Sequence, residues 1–288
     1  MLKKINNYIK LMRPKHYIKN LLIFIPLFFS GRLFELNLMV ACCLSFISFS
    51  LIASSIYVIN DLKDVEKDKL HIKKCKRPIA SGAIEKSKAR MFAILLFVLS
   101  ILINFAANKI DKSVVKTLYV LVGYFALNIA YTFKLKHVPI ADVASLSASY
   151  FIRVYYGSVI TGIAISDWLY LSIISAAFFL GLGKRRNEMK HMTKDIETRS
   201  VLQHYTESFL TNNMYVFLCL GIVFYSLWSM TTGLLATVPI LIMILMKYSL
   251  MIETTADGDP VDTMLSDKVF IALIVIFAII LSWAVYMK

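Results

Sequence analysis

Nine stretches of this 288-residue chain are long and apolar enough to demand a solvent other than water. A helix needs about 20 mostly apolar residues to cross a bilayer. Such runs lie at roughly 18–35, 37–59, 90–108, 114–133, 138–162, 165–183, 211–232, 234–252 and 268–287. Pro26, Gly31 and Arg32 interrupt the first of them. The runs are continuous, whereas barrel strands would alternate apolar and polar over about 10 residues. The expectation is an all-α polytopic membrane protein, about nine transmembrane helices in a single domain over 1–288.

Composition agrees. Hydrophobic residues make up 58% and charged residues 17%, where a soluble domain is nearer half and a quarter. This excludes a disordered chain, a secreted disulfide scaffold and a soluble nucleic-acid-binding domain. Cys42, Cys43, Cys75 and Cys219 form no CxxC pair and read as packing residues. His16, His71, His137, His191 and His204 show no zinc-site spacing. Residues 1–20 have no apolar core and no small-residue cleavage site, so no cleavable signal peptide is expected. The net charge of +14 is sorted: 26 Lys and Arg lie on one side of the expected spans and 5 on the other. The positive-inside rule then puts the N-terminus and the long loops in the cytoplasm.

The long loops, near 60–89, 184–210 and 253–267, are where chemistry is expected. The first opens Asn60-Asp61-Leu62-Lys63-Asp64, and its aspartates Asp61, Asp64 and Asp68 recur at i, i+3 and i+7. On a helix continued from the second span they would share one face. Three carboxylates on a stripe repel unless a cation neutralises them, and oxygen ligands of this kind suit Mg²⁺ with substrate phosphates. The alternative is a solvated helix end, since Lys63, Lys67 and Lys69 are interleaved. Lys76-Arg77-Pro78 follows, suited to gripping phosphate or simply part of the basic loop. Arg153 inside a span needs a cavity or a partner. Asp142, about three turns earlier, is too far to pair with it directly, so each has either an interhelical ion pair or, for Arg153, a phosphate. Tyr150, Tyr155 and Tyr156 read as packing before they read as a lipid tunnel.

These residues resemble a family. Asn60-Asp61-x-x-Asp64-x-x-x-Asp68 followed by Arg77-Pro78-Ile79-x-x-Gly82 is similar to the first aspartate-rich motif of the UbiA-type prenyltransferase superfamily. Arg13-Pro14-Lys15-His16-Tyr17-Ile18-Lys19-Asn20, Tyr131-Thr132-x-Lys134, Ala141 to Arg153, Gly183-Lys184-Arg185-Arg186-x-Glu188 and Asp257-Gly258-Asp259-Pro260 resemble its decaprenyl-phosphate phosphoribosyltransferase branch. The resemblance implies a transferase of the bacterial cytoplasmic membrane, its active site facing the cytoplasm, in which Mg²⁺ assists departure of diphosphate. It implies Asp61, Asp64 and Asp68 as metal and diphosphate ligands, with Asn60 assisting. Lys76 and Arg77 would bind donor phosphate, Lys19 and Asn20 donor or lipid phosphate, and Lys184, Arg185 and Glu188 would line an opposite wall. Tyr131 and Lys134 would sit at a span mouth. The implied donor is phosphoribosyl diphosphate and the acceptor a polyprenyl phosphate; no nucleic acid is expected, and a homo-oligomer is left open.

One departure from the superfamily pattern is informative. Its second aspartate-rich motif is missing from the 184–210 loop, which is basic and holds only Asp195. That suits the additional phosphates of a phosphoribosyl reaction. Prenyl transfer to a lipophilic acceptor would need another carboxylate cluster, for which Asp257, Asp259 and Asp262 are available. A lipid-phosphate carrier would need ionisable groups at mid-membrane, and only Asp142 and Arg153 come near.

Overall fold

The computed structural model describes residues 2–70, 74–108, 114–190, 200–254 and 260–287, and among these the secondary structure is entirely helical. The α-helices are α1 (Leu2–Met12), α2 (Ile25–Phe29), α3 (Leu36–Lys63), α4 (Val65–Leu70), α5 (Lys86–Asn108) and α6 (Val114–Phe133). They continue with α7 (Ala141–Thr161), α8 (Asp167–Lys190), α9 (Glu207–Thr232), α10 (Val238–Thr254), α11 (Pro260–Ser266) and α12 (Lys268–Tyr286). Short 3₁₀ segments connect several of them.

Among the described residues six helical stretches are long and apolar enough to cross a membrane: Leu36–Lys63, Lys86–Asn108, Val114–Phe133, Glu207–Thr232, Leu235–Thr254 and Lys268–Tyr286. The last is the most apolar, and Val269, Val275, Ile279 and Trp283 on it are exposed, as lipid contact requires. Three of the nine expected spans are not among these six. The 18–35 run is a 3₁₀ helix, Pro14–Phe24, followed by the five-residue α2 with Pro26 in its first turn. Proline lacks a donor and starts a helix more readily than it continues one. Helices α7 and α8 have the length, but α7 carries Asp142, Arg153 and four serines, and α8 ends on the charged Lys184-Arg185-Arg186 run.

The chain divides into two compact units. Unit 1 holds residues 1–134 and 152–164. Its α3 and α5 pack through small polar residues: Ser48 Oγ donates to the Ser100 carbonyl and Ser55 Oγ to that of Ala93, each at 2.8 Å. Small side chains bring apolar helices close, and the hydroxyls find partners across the gap. A second polar group is built around Asn104, which accepts from the Tyr156 hydroxyl at 2.7 Å. An apolar cluster of Leu11, Val58, Val65, Ile79, Ile84 and Leu96 ties α1 and the loop after α4 to α3 and α5.

Unit 2 holds residues 135–151 and 165–288. Its core gathers Val143, Phe179, Leu182, Leu210, Met214, Tyr248, Ile252 and Phe270 from α7 to α10 and α12. Phe178 and Phe217 stack across α8 and α9 at 4.6 Å. Gly183 lets α10 approach, since a Cβ there would meet Ile252 Cδ1 at 2.6 Å. Cys42 is buried in unit 1.

Gly157 is the tightest packing constraint in unit 1. A Cβ there would lie 1.9 Å from the Ile23 carbonyl oxygen, a backbone atom with nowhere to go. Gly157→Ala is expected to destabilise the chain by about 2 kcal/mol or more through overpacking, and thermal melting in detergent would show a transition several degrees lower.

Candidate active site

The aspartate stripe is built on the end of α3. The helix stops at Lys63 and bends at Asp64 (φ −95°, ψ 8°), but the hydrogen-bond ladder runs across the bend. Asp64 N–H donates to Asn60 O at 2.9 Å and Asp68 N–H to Asp64 O at 2.8 Å. The i, i+7 relation survives, so Asp61 and Asp68 face the same place. Both are buried, with side chains 3% and 5% exposed.

What they face is an arginine. Arg77 Nη1 donates to Asp61 Oδ1 at 3.0 Å and to Asp68 Oδ2 at 2.7 Å. A compact turn delivers it. Arg77 N–H bonds Lys74 O at 2.9 Å, Ser81 N–H bonds Arg77 O at 2.9 Å, and Gly82 closes the turn with φ +76°. Ile79 and Ile84, buried against α3 and α5, pin that turn in place. The Arg-Pro-Ile-x-x-Gly spacing is therefore the recipe for one guanidinium held over two carboxylates.

Arg13 is the residue that sequence reasoning left out of the site. Its Nη2 donates to Asp61 Oδ1, and its guanidinium lies 5.1 Å from the Tyr57 ring. Its backbone is left-handed, φ 54° and ψ 58°. Pro14 disfavours the right-handed helical region for the preceding residue, and a non-glycine residue in the left-handed region costs about 1 kcal/mol or more. The available signal was Arg13-Pro14 itself, since a residue before proline at a helix end is where the chain turns.

Among the described residues no three His, Cys, Asp or Glu side chains come together as a metal site. Asp61 and Asp68 converge; Asp64 is half-buried at the bend. The donor set still fits Mg²⁺: two carboxylates already share one cationic nitrogen, and a hard ion completes its shell with phosphate oxygens and water.

The remaining expected residues divide by unit. In unit 1, Asn20 is buried; its Nδ2 donates to Ser50 Oγ at 2.9 Å and its Oδ1 accepts from Arg153 Nε at 2.8 Å. Arg153 also donates to the Tyr124 hydroxyl at 2.9 Å and lies over the Phe49 and Tyr124 rings at 5.2 and 5.1 Å. Asn20 thus lies in the interior of unit 1. Lys19 and Tyr131 are half-buried, and Lys76 and Lys134 are exposed.

In unit 2 the Lys184 to Glu188 segment is the last turns of α8. Arg185 is wholly buried. Its Nε donates to Asp142 Oδ2 at 2.6 Å and its Nη1 to Glu188 Oε2 at 2.5 Å. Asp142 thus has its interhelical ion pair, with α8. The Tyr205 hydroxyl donates to Asp142 Oδ1 at 2.6 Å and accepts from Ile140 N–H at 2.6 Å. Burial, then the bond to Asp142, push the Tyr205 phenol up to about 12. Arg186 pairs with Glu253 and bonds Thr211 Oγ1 at 2.7 Å. Arg185, expected to meet phosphate, instead meets protein carboxylates on both sides, while Lys184 and Glu188 are half-buried. His71, His191, Asp195, Asp257, Asp259 and the Asp262 side chain lie outside the described residues.

Residues 22–274 match the UbiA prenyltransferase family. The chain belongs to that family. It is a transferase with multiple membrane helices. The decaprenyl-phosphate phosphoribosyltransferase of Corynebacterium glutamicum is 31% identical, over 96% of this chain and 86% of its own. The decaprenyl-phosphate phosphoribosyltransferase of Mycolicibacterium smegmatis is 30% identical, over 98% of this chain and 93% of its own. A UbiA homolog from Archaeoglobus fulgidus bound to DMAPP and Mg²⁺ shares the fold with TM-score 0.72, at 18% identity over 98% of this chain and 99% of its own.

The pairing pattern makes a direct prediction. Asp142→Ala leaves Arg185 buried with one carboxylate fewer and should cost about 3 kcal/mol. Detergent melting of Asp142→Ala and Asp142→Asn should show the alanine variant markedly less stable than native; equal transitions would show that Arg185 does not depend on Asp142.

Proposed function

We propose that the protein transfers the 5-phosphoribosyl group from phosphoribosyl diphosphate to a polyprenyl phosphate and releases diphosphate. The observation that carries this reading is the pair of buried carboxylates, Asp61 and Asp68, set against Arg13 and Arg77. It is a site built to take a metal-bound diphosphate. The names of the two relatives support the choice of donor and acceptor, as does the basic Lys184–Lys190 segment where a second aspartate motif would stand.

Asp61, Asp64 and Asp68, with Asn60, would hold Mg²⁺ and through it the donor diphosphate. Bound there, the metal supplies charge neutralisation for the leaving group. Arg77 and Lys76 add cationic donors for the same charge. The acceptor phosphate is already an anion near neutral pH, so it needs to be positioned more than activated. Lys19, Lys134 and Tyr131 of unit 1 are assigned to phosphate contact, and so is Lys184 of unit 2. Asn20 and Arg153 hold each other in the interior of unit 1, and we assign them to setting the segment that carries Lys19. Arg185, engaged by Asp142 and Glu188, would orient Glu188 toward the ribose hydroxyls.

The same reading extends to topology. Helices α7 and α8 and the Pro14–Phe29 segment would complete nine crossings, with the N-terminus and the loops near 60–89, 184–210 and 253–267 on the cytoplasmic side of the bacterial inner membrane. The charge sorting of Lys and Arg supports this orientation.

The test uses purified protein in detergent with Mg²⁺. Diphosphate release from phosphoribosyl diphosphate should depend on added polyprenyl phosphate, and mass spectrometry should find the phosphoribosyl adduct of the lipid. Release only from a prenyl diphosphate would reassign the chain to prenyl transfer. Asp64→Ala should lose turnover by about a thousandfold or more while melting as the native protein does; retained turnover at saturating Mg²⁺ would remove Asp64 from the metal site.

A further inference from the structure

At the end of α3 two carboxylates and two guanidiniums are joined to one another. Asp61 accepts from Arg13 and Arg77, and Asp68 from Arg77. Their charges cancel. The order from inside to outside is equally informative: the carboxylates are 3% and 5% exposed, the arginines 22% and 27%. The arginines stand between the acids and solvent.

This arrangement sets conditions on anything that binds. A divalent cation alone must displace guanidiniums from Asp61 and Asp68 and would leave the four groups with two excess positive charges. A diphosphate alone must approach buried carboxylates, which repel it. A divalent cation together with diphosphate meets neither obstacle. The carboxylate oxygens would hold the metal, and a guanidinium displaced from them would turn to phosphate, for which its planar fork is suited.

Arg13 is the arginine free to make that exchange. Arg77 is fastened by its own turn and by two carboxylates. Arg13 has Asp61 on one side and the Tyr57 ring on another. The ring offers the guanidinium a surface to stay on while its polar partner changes. Its left-handed backbone, imposed next to Pro14, aims it away from the course of α1 and toward α3.

We propose that Arg13 is a diphosphate ligand which, until diphosphate arrives, serves as the counter-ion of Asp61, so that divalent cation and diphosphate bind cooperatively. The inference rests on Asp61 and Asp68 being the metal–diphosphate site. It does not depend on which donor supplies the diphosphate.

The test measures binding, with Mn²⁺ and inorganic diphosphate as probes on the full-length protein in detergent. In the native protein Mn²⁺ should bind weakly alone and at least about tenfold more tightly with diphosphate present, the range of an allosteric coupling between sites. Arg13→Gln should move the two affinities in opposite directions. Mn²⁺ alone binds more tightly, by about threefold or more, because Asp61 has lost a competing cation. Diphosphate in the presence of Mn²⁺ binds about tenfold or more weakly, because a charged hydrogen-bond donor is gone. Arg13→Lys should keep the weak Mn²⁺ affinity and recover only part of the diphosphate affinity, since it has the charge without the fork.

Both affinities falling together in Arg13→Gln would make Arg13 a structural support and overturn the proposal. Neither changing would make it a bystander, with the same consequence. If the glutamine variant does not fold, the lysine variant decides: native behaviour with both probes overturns the proposal. Asp61→Asn separates the premise from the inference, because Mn²⁺ binding that survives it would refute the metal site itself.

Discussion

Charge buried among apolar helices has to be paired, and that requirement organises both halves of this protein. Removing one partner of a buried ion pair costs about 3–5 kcal/mol, so each acid that an apolar bundle buries brings a base with it. In unit 1 the acids are Asp61 and Asp68 and the bases Arg77 and Arg13. In unit 2 Asp142 holds Arg185, which also reaches Glu188. Arg153 is accommodated differently: its charge rests on Asn20, Tyr124 and two aromatic faces.

The pairs differ in what they do. Asp142 and Arg185 are both sealed from solvent, and Tyr205 caps the carboxylate while also accepting the Ile140 N–H. That N–H belongs to a β-branched residue at φ 66°, a conformation that persists only where its surroundings hold it. The network fixes the start of α7 against α8 and reads as architecture. The Asp61 and Asp68 set has its bases on the solvent side and its acids inside. A charge arrangement of that kind is reversible, because the outer cations can exchange one anion for another.

Membership of the UbiA prenyltransferase family accounts for the rest of the plan. The proposed reaction joins a soluble phosphorylated donor to a lipid, and the acidic pair Asp61 and Asp68 lies where α3 leaves its apolar run, which suits it. The bend at Asp64 turns the chain there without breaking its hydrogen-bond ladder, so Asp61 and Asp68 remain aligned while α4 starts a new direction. The turn at Pro78 to Gly82 then returns the chain to α3 and brings Arg77 back over the acids.

The sequence by itself determined the class of the protein. Apolar runs of span length have one stable answer, the helix, because backbone polar groups in hydrocarbon must be satisfied within their own segment. It pointed to a shared face for Asp61 and Asp68, seven residues apart, because the helical period brings i and i+7 together. Helix breaks inside apolar runs were harder to read: the 18–35 stretch is apolar enough to suggest a span, yet Pro26 leaves it a 3₁₀ segment and a short helix. Only the tertiary structure decided which charges meet. Arg13 is 48 residues from Asp61 and Arg185 is 43 from Asp142, and no periodicity reaches that far. Asn20 and Arg153, 133 residues apart, meet for the same reason: pairing of buried polar groups is enforced by the low dielectric of the packed interior, and which groups share that interior is set by how the helices pack.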